Sequence, residues 1–307
     1  MSDGAIGSDA NHQAHQTTAR IDTSRPNPAR VYDVFLGGRD NYPADRAAAK
    51  AALAANPRGY LNVWHNRDFV RRAVSHVAAH AGVRQFLDIG TGLPTAENVH
   101  EIAQRVAPQA RIVYADNDPM VLAHARALLS SHPEGAADYL EADLRDPDTI
   151  LLEAQRTLDF GQPVALVLAA IAHFVEDEAA YGVVARLVDA LAPGSYLILS
   201  HLTVDLNPEN GMRAAKAYAD SGLTFVLRSK AAILRFVTDS GLDLVEPGIV
   251  PVHHWRPDHR PWALSMHRPI ESERFNKLDD IDKIRYRDIN DVTDEDINVY
   301  GLLARKP

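Results

Sequence analysis

The 307-residue sequence contains no cysteine, which excludes disulfides and thiolate-bound metals. It also lacks any run of 18 apolar residues, the length a membrane-crossing helix needs. No apolar segment near the start could serve as a secretory signal, so a cytoplasmic protein with a disordered tail over 1–24 is expected. A basic excess is missing too: 32 Lys and Arg face 41 Asp and Glu, a net charge of −9. A general nucleic-acid binder carries the opposite sign, so neither nucleic acid nor membrane is an expected partner. The acid is unevenly spread. Residues 271–296 hold ten acids against five bases, so that segment carries −5 of the −9 and leaves −4 elsewhere.

What is present is an ordinary soluble composition, 46% hydrophobic and 24% charged, with enough apolar residues for a sizeable core. From 85 onward, apolar strands alternate with helical patterns. Expected strands are Gln85–Ile89, Arg111–Ala115, Tyr139–Ala142, Val164–Ala170 and Ser195–Ser200. Between them fall helices near 95–106, from Asp118-Pro119 onward, and over 178–191 and 229–240, with a further helix over 61–81 before the first strand. Such alternation implies a parallel sheet with right-handed crossovers. Asp243–Trp255 and Val299–Arg305 read as closing strands forming an antiparallel edge. Four parts follow: the tail, a helical cap over 25–82, a sheet domain over 83–258 and 298–307, and an acidic insertion over 259–297.

Candidate site residues gather at the carboxyl ends of the first three strands, where open α/β sheets bind ligands. Gly90 and Gly92, flanking Thr91, follow the first strand and let the backbone turn tightly against a ligand. Alone, a Gly-x-Gly turn is only a turn. Asp116, beside Asn117, ends the second strand, where a carboxylate accepts from both ribose hydroxyls of an adenosine. Asp143 and Leu144 follow the third strand, suited to an adenine amino group and ring edge. The turn continues Leu93-Pro94-Thr95, without the third glycine of a pyrophosphate cradle. Asp88 suits an ammonium better than a phosphate, so an uncharged thioether or a sulfonium nucleoside fits better than a dinucleotide.

Together these residues resemble a class I S-adenosylmethionine methyltransferase. More closely, the sequence resembles an actinobacterial family long catalogued as a domain of unknown function. The resemblance rests on Arg30-Val31-Tyr32-Asp33, Leu36-Gly37-Gly38-Arg39-Asp40-Asn41, Asn66-Arg67, Phe86–Thr95, Val113–Pro119, Ala172–Val175 and His253–Pro257. It covers roughly 28–258 and 299–307, with the 259–297 stretch departing from it. It implies a Rossmann-like α/β fold with a seven-stranded, mostly parallel sheet, helices on both faces, an antiparallel last strand and an N-terminal helical cap. It also implies S-adenosyl-L-methionine in the first-strand turn, ribose on Asp116 and adenine near Asp143. The cap would close over the cofactor, bringing Gly38 and Asn41 near it and letting Arg67 or Arg39 meet the methionine carboxylate. Gly37-Gly38 would be its hinge. The alternative is helices packed on the sheet with solvated basic residues.

The fourth strand ends Ala169-Ala170-Ile171-Ala172-His173-Phe174, without the Asp/Asn-Pro-Pro-aromatic tetrapeptide that holds an exocyclic amine. A small-molecule acceptor methylated on oxygen or carbon is favoured. His173, with His201 as second choice, is the candidate base or orienting group. The alternative for both is packing against cofactor or strand end. His253 and His254, expected on a strand, point to opposite faces, so no metal site is expected. Two other readings remain: a protein that binds the cofactor without transferring its methyl, and a nicotinamide oxidoreductase. Nothing in the sequence specifies an oligomeric state.

Overall fold

A computed structural model describes residues 21–94, 97–128, 131–258 and 270–307, with side chains also omitted at 126–128. Of the expected tail, 1–20 lie outside the described residues, as do 259–269 of the acidic stretch. Three helices come first: α1 (Pro28–Phe35), α2 (Pro43–Ala55) and α3 (Tyr60–His80). Asn27 caps α1 by accepting the Ala29 amide, and Pro28 opens it with a φ already helical.

The sheet strands are β1 (Gln85–Ile89), β2 (Arg111–Asp116), β3 (Ala136–Glu141), β4 (Ala165–Ala169), β5 (Tyr196–Leu202), β6 (Asp243–Leu244), β7 (Val250–Pro251) and β8 (Val299–Arg305). Their order is β3-β2-β1-β4-β5-β8-β6, with β7 also paired to β8. The first five are parallel, while β6 and β7 run antiparallel to β8, which runs antiparallel to β5. The sheet therefore has eight strands rather than the expected seven. The continuous strand expected over Asp243–Trp255 is split. Pro247 and Gly248, the latter at φ 84°, turn the chain between β6 and β7, and β7 passes at once into a 3₁₀ turn, Val252–His254.

Period-two alternation sends side chains to the two faces. Phe86, Ile112, Ala165, Ile198 and Leu303 join the core shared with α1–α3 and α4 (Val99–Val106). Leu87, Val113, Leu166, Leu197 and Leu302 join the core on the other face, with α6 (Pro147–Ala154), α7 (Asp177–Asp189) and α9 (Lys230–Thr238). On β8 only glycine fits at 301: a Cβ there would lie 2.8 Å from the Phe69 ring, so α3 packs close to the sheet.

The described part of the acidic stretch is folded against the N-terminal helices. It contains α10 (Ser272–Asn276) and α11 (Asp280–Lys283), and it buries Ile281, Ile284, Ile289 and Ile297 in the first core. Its carboxylates answer bases on the cap. Asp282 pairs with Arg46 at 3.1 Å, Asp279 with Lys50 at 3.4 Å and Asp296 with Arg58 at 2.5 Å. The local charge excess is thus partly neutralised by bases of the cap more than two hundred residues earlier.

Candidate functional site

The strand order reverses between β1 and β4, and a cavity of about 270 Å³ opens there, over the carboxyl ends of both strands. Asp88, Gly90, Thr91, Gly92, Asp116, Asn117 and Arg67 all line it. Gly90 holds φ 71°, and a Cβ there would sit 2.4 Å from Ile171 Cγ1, so glycine is required by conformation and by space. At Gly92 the requirement is φ 68° alone, since the nearest atom to a Cβ is 4.0 Å away. Opposite, Ala170 directly after β4 holds φ 54°, an unusual conformation for a residue with a side chain, secured by its amide donating to Ser200 Oγ at 2.9 Å.

Asp116 is buried, and each of its oxygens accepts one backbone amide: Gly92 to Oδ2 and Asp118 to Oδ1, both at 2.9 Å. Each oxygen has two lone pairs, so capacity remains for a ligand hydroxyl. Burial pushes its pKa up to about 6 against those amide bonds. Asp88 is raised further, to about 7, by burial, partly offset by the Arg67 charge and a Thr91 hydrogen bond. Two buried carboxylates this easily protonated are costly for stability and suit a ligand that supplies charge or donors.

A smaller cavity of about 70 Å³ continues past Asn117 and contains Asp143 and Leu144. Asp143 is engaged by Arg145, whose Nε and Nη2 donate at 2.8 and 2.6 Å, and by Asn117 Nδ2 at 3.1 Å. The Arg145 hydrogen bonds hold its pKa down at about 2. Arg145, which the sequence reading missed, lines both cavities.

Above the turn sits α1. Its buried Arg30 donates through Nε to Asp118 Oδ2 at 3.0 Å and lies 3.6 Å from Asp45, locking the cap to the loop after β2. Gly38 and Asn41, expected near the cofactor, do not line the cavities, and Arg39 is exposed. Asn41 Nδ2 instead donates to Asp33 Oδ2 at 2.8 Å, and Gly38 O accepts from Arg285 Nη2 at 2.9 Å. A Cβ at Gly38 would lie 1.8 Å from Asp33 Oδ1, and one at Gly37 would lie 2.4 Å from Arg285 Cγ. The glycine pair is a tightly packed turn joining the cap to the acidic segment.

A third cavity, of about 80 Å³, adjoins the first and shares Pro28, Tyr32, Asn66, Ala170 and Phe174 with it. A relay separates the two: Ser200 Oγ donates to Asn66 Oδ1 at 2.5 Å, Asn66 Nδ2 to the Tyr32 hydroxyl at 3.0 Å, and that hydroxyl to Val63 O at 3.1 Å. His173 lines the third cavity, fully buried, with Nδ1 unpartnered. Burial, with His201 and Arg228 nearby, holds its pKa well below the usual imidazole range, so it is neutral. His201 lines none of the three. Its Nδ1 lies 2.6 Å from Leu202 O and its Nε2 accepts from Arg228 Nη1 at 2.6 Å, so both nitrogens are engaged. Tyr218, Phe225 and Asn298 also line the third cavity and were missed from sequence. The helix bringing Tyr218, α8 (Pro208–Asp220), had a readable start: Asn207 caps it and Pro208 opens it.

His253 and His254 do not point to opposite faces. Their 3₁₀ turn brings both Nε2 atoms to Asp294 Oδ1, at 2.9 and 2.6 Å, and the three could offer ligand atoms within 4.8 Å of one another. The cluster lies apart from the three cavities and clasps the acidic segment to the end of the sheet.

Residues 14–307 match the model of a family described as S-adenosyl methyltransferase. The chain belongs to that family. The match runs through the acidic stretch as well as the sheet. A DUF574 family protein from Streptomyces avermitilis is 45% identical over 94% of this chain and 100% of its own, with a TM-score of 0.82. A protein of Thermobifida fusca YX, solved as a candidate methyltransferase, is 37% identical over 93% and 96% of the two chains, with a TM-score of 0.76. No curated protein matches. The family's cofactor is S-adenosyl-L-methionine, and the donor set fits it. Asp88, Asp116 and Arg67 together put both signs of charge on the cavity wall, and the turn continues Leu93-Pro94 without a third glycine. Family membership sets the oxidoreductase reading aside. Among the described residues, no helix is long and apolar enough to cross a membrane.

Proposed function

We propose that the protein transfers the methyl group of S-adenosyl-L-methionine to oxygen or carbon of a small molecule in the cytoplasm. The observation that carries this reading is the third cavity, a mainly apolar compartment that adjoins the cofactor cavity at Tyr32, Asn66 and Ala170. A pocket of this kind, with a few placed polar groups, is how small ligands are held.

In this reading Asp88 takes the cofactor's ammonium, Arg67 its carboxylate and Asp116 the ribose hydroxyls. The Asp143–Leu144 pocket takes the adenine, beside Asn117. Bound there, the cofactor would supply an electrophilic methyl on a sulfonium, a hydroxyl acceptor taking the methyl as the thioether keeps the electron pair and the hydroxyl proton passes to solvent. The chain contributes alignment and exclusion of water. His173 hydrogen-bonds the acceptor and orients it. Burial beside Arg228 makes a protonated imidazole unfavourable, so His173 is a poor store for the released proton. His201 fixes Arg228 from behind.

Transfer of an isotope-labelled methyl to a metabolite extract tests the reading. Label in a small-molecule fraction, reduced about tenfold or more by His173→Ala with cofactor affinity retained, is expected. Cofactor binding with no transfer to any fraction would instead favour a sensor or inactive partner.

A further inference from the structure

Resting on the small-molecule reading above, the third cavity restricts the acceptor further, because of what is missing from its wall. No Asp, Glu, Lys or Arg lines it, whereas the adjoining cofactor cavity is lined by Asp88, Asp116, Arg67 and Arg145. A charged group entering the third cavity would lose its hydration and meet no counter-charge. One side is aromatic: the Tyr218 and Phe225 rings stack at 4.3 Å and 13°, and Phe225 meets Phe174 edge-on at 5.8 Å. Such a wall matches a flat ring.

Polar groups on the wall are mostly satisfied within the protein. Asn62 Oδ1 accepts the Asn298 amide at 2.6 Å, and Asn66 is used at both ends by Ser200 and Tyr32. Two buried polar atoms are not: Asn298 Oδ1, an acceptor, and His173 Nδ1, donor or acceptor according to the tautomer. Buried polar atoms without partners are rare and costly, and both belong to residues lining this one cavity. Asn298 Oδ1 wants a donor and His173 Nδ1 a polar partner from whatever enters.

We propose that the acceptor is an uncharged aromatic compound carrying a hydrogen-bond donor, which goes to Asn298 Oδ1, and polar enough to pair His173 Nδ1. Carboxylates, phosphates and ammonium compounds are rejected by the charge-free wall, and the bare ring binds more weakly because it leaves both atoms unpaired.

Four probes of one size separate these effects: naphthalene, 2-naphthol, 2-naphthoate and 2-naphthylmethylammonium. Each is titrated into the full-length protein saturated with S-adenosylhomocysteine, and binding is read by calorimetry or ligand-observed NMR. The expected order places 2-naphthol at least tenfold tighter than the other three. Asn298→Ala should erase most of that advantage over naphthalene while leaving naphthalene itself within about threefold. Either charged probe matching 2-naphthol, or none of the four binding, overturns the proposal. So does an unchanged naphthol preference in a folded Asn298→Ala variant. The wild-type ranking decides alone if that variant does not fold. Labelled methyl transfer needs no chosen acceptor. A failure here with transfer to a charged small molecule there would sink only this inference. Transfer to no small molecule would sink the reading beneath it.

Discussion

At the scale of single residues, the site's chemistry is set by carboxylates held away from water. Asp88 titrates near 7 and Asp116 near 6 in the cofactor-free protein, both raised by burial. An unfolded chain would titrate them near 4. The folded state therefore binds more protons than the unfolded between about pH 4 and 7, and stability falls as pH rises through that window. Asp88→Asn, neutral at every pH, should raise the cofactor-free melting temperature at pH 8 by roughly 2–4 °C, the shift of about 1 kcal/mol in a domain this size. It should also weaken cofactor binding at least tenfold. Differential scanning calorimetry checks the first and titration the second; a lower melting temperature would contradict the account. Cofactor binding favours ionised carboxylates, so S-adenosylhomocysteine affinity should fall about tenfold per unit as pH drops below 7 and more steeply below 6. A flat profile from pH 5 to 7.5 would count against both assignments. The two turn glycines should also differ. Gly90→Ala meets both a strained φ and the Ile171 side chain, Gly92→Ala only the strained φ. The second should cost about 1–2 kcal/mol and the first distinctly more, measured by denaturant unfolding.

At the scale of elements, what was legible had a period or a cap. β1 was read to the residue, and Asp116 was correctly placed at the end of β2 because apolar runs bounded by turns mark both strands. β3 begins three residues earlier than expected, since Ala136-Ala137-Asp138 has poor strand character and is drawn in by pairing to Arg111, Ile112 and Val113. The strand expected over 243–255 failed because Pro247 and Gly248 break it, a signal present in the sequence and outweighed by the surrounding apolar residues. The acidic stretch was readable as charge and opaque as structure. Its partners Arg46, Lys50 and Arg58 lie far away in sequence, and no local rule pairs them. The ion pairs are partly exposed and contribute little each. Burial of the isoleucines is the stronger tie. Ile284→Ala should cost about 2–4 kcal/mol and speed proteolysis within 270–297 ahead of the sheet domain. Arg58→Ala should cost about 1 kcal/mol or less. Equal losses for both would show that charge, not packing, holds the segment.

At the scale of the whole molecule, the site depends on three parts meeting. The sheet supplies the glycine turn and the carboxylates, α1 and α3 supply Tyr32, Asn66 and Arg67, and α8 with its following loop supplies the aromatic wall. The residues of the first cavity that follow strand ends could be named from sequence because they come in order along the chain. Of the third cavity's wall His173 was named in the same way, while Tyr218, Phe225 and Asn298 were not, because only tertiary packing brings them there. The proposed function rests above all on Asp116 holding the cofactor's ribose over the first-strand turn. Calorimetric titration of S-adenosylhomocysteine at pH 7.5 into wild type and Asp116→Ala tests it most directly, with melting curves confirming that the variant is folded. Loss of two hydrogen bonds to a carboxylate, at about 1.5–3 kcal/mol each, predicts one-site binding weakened a hundredfold or more. Equal affinity in the two proteins would contradict it.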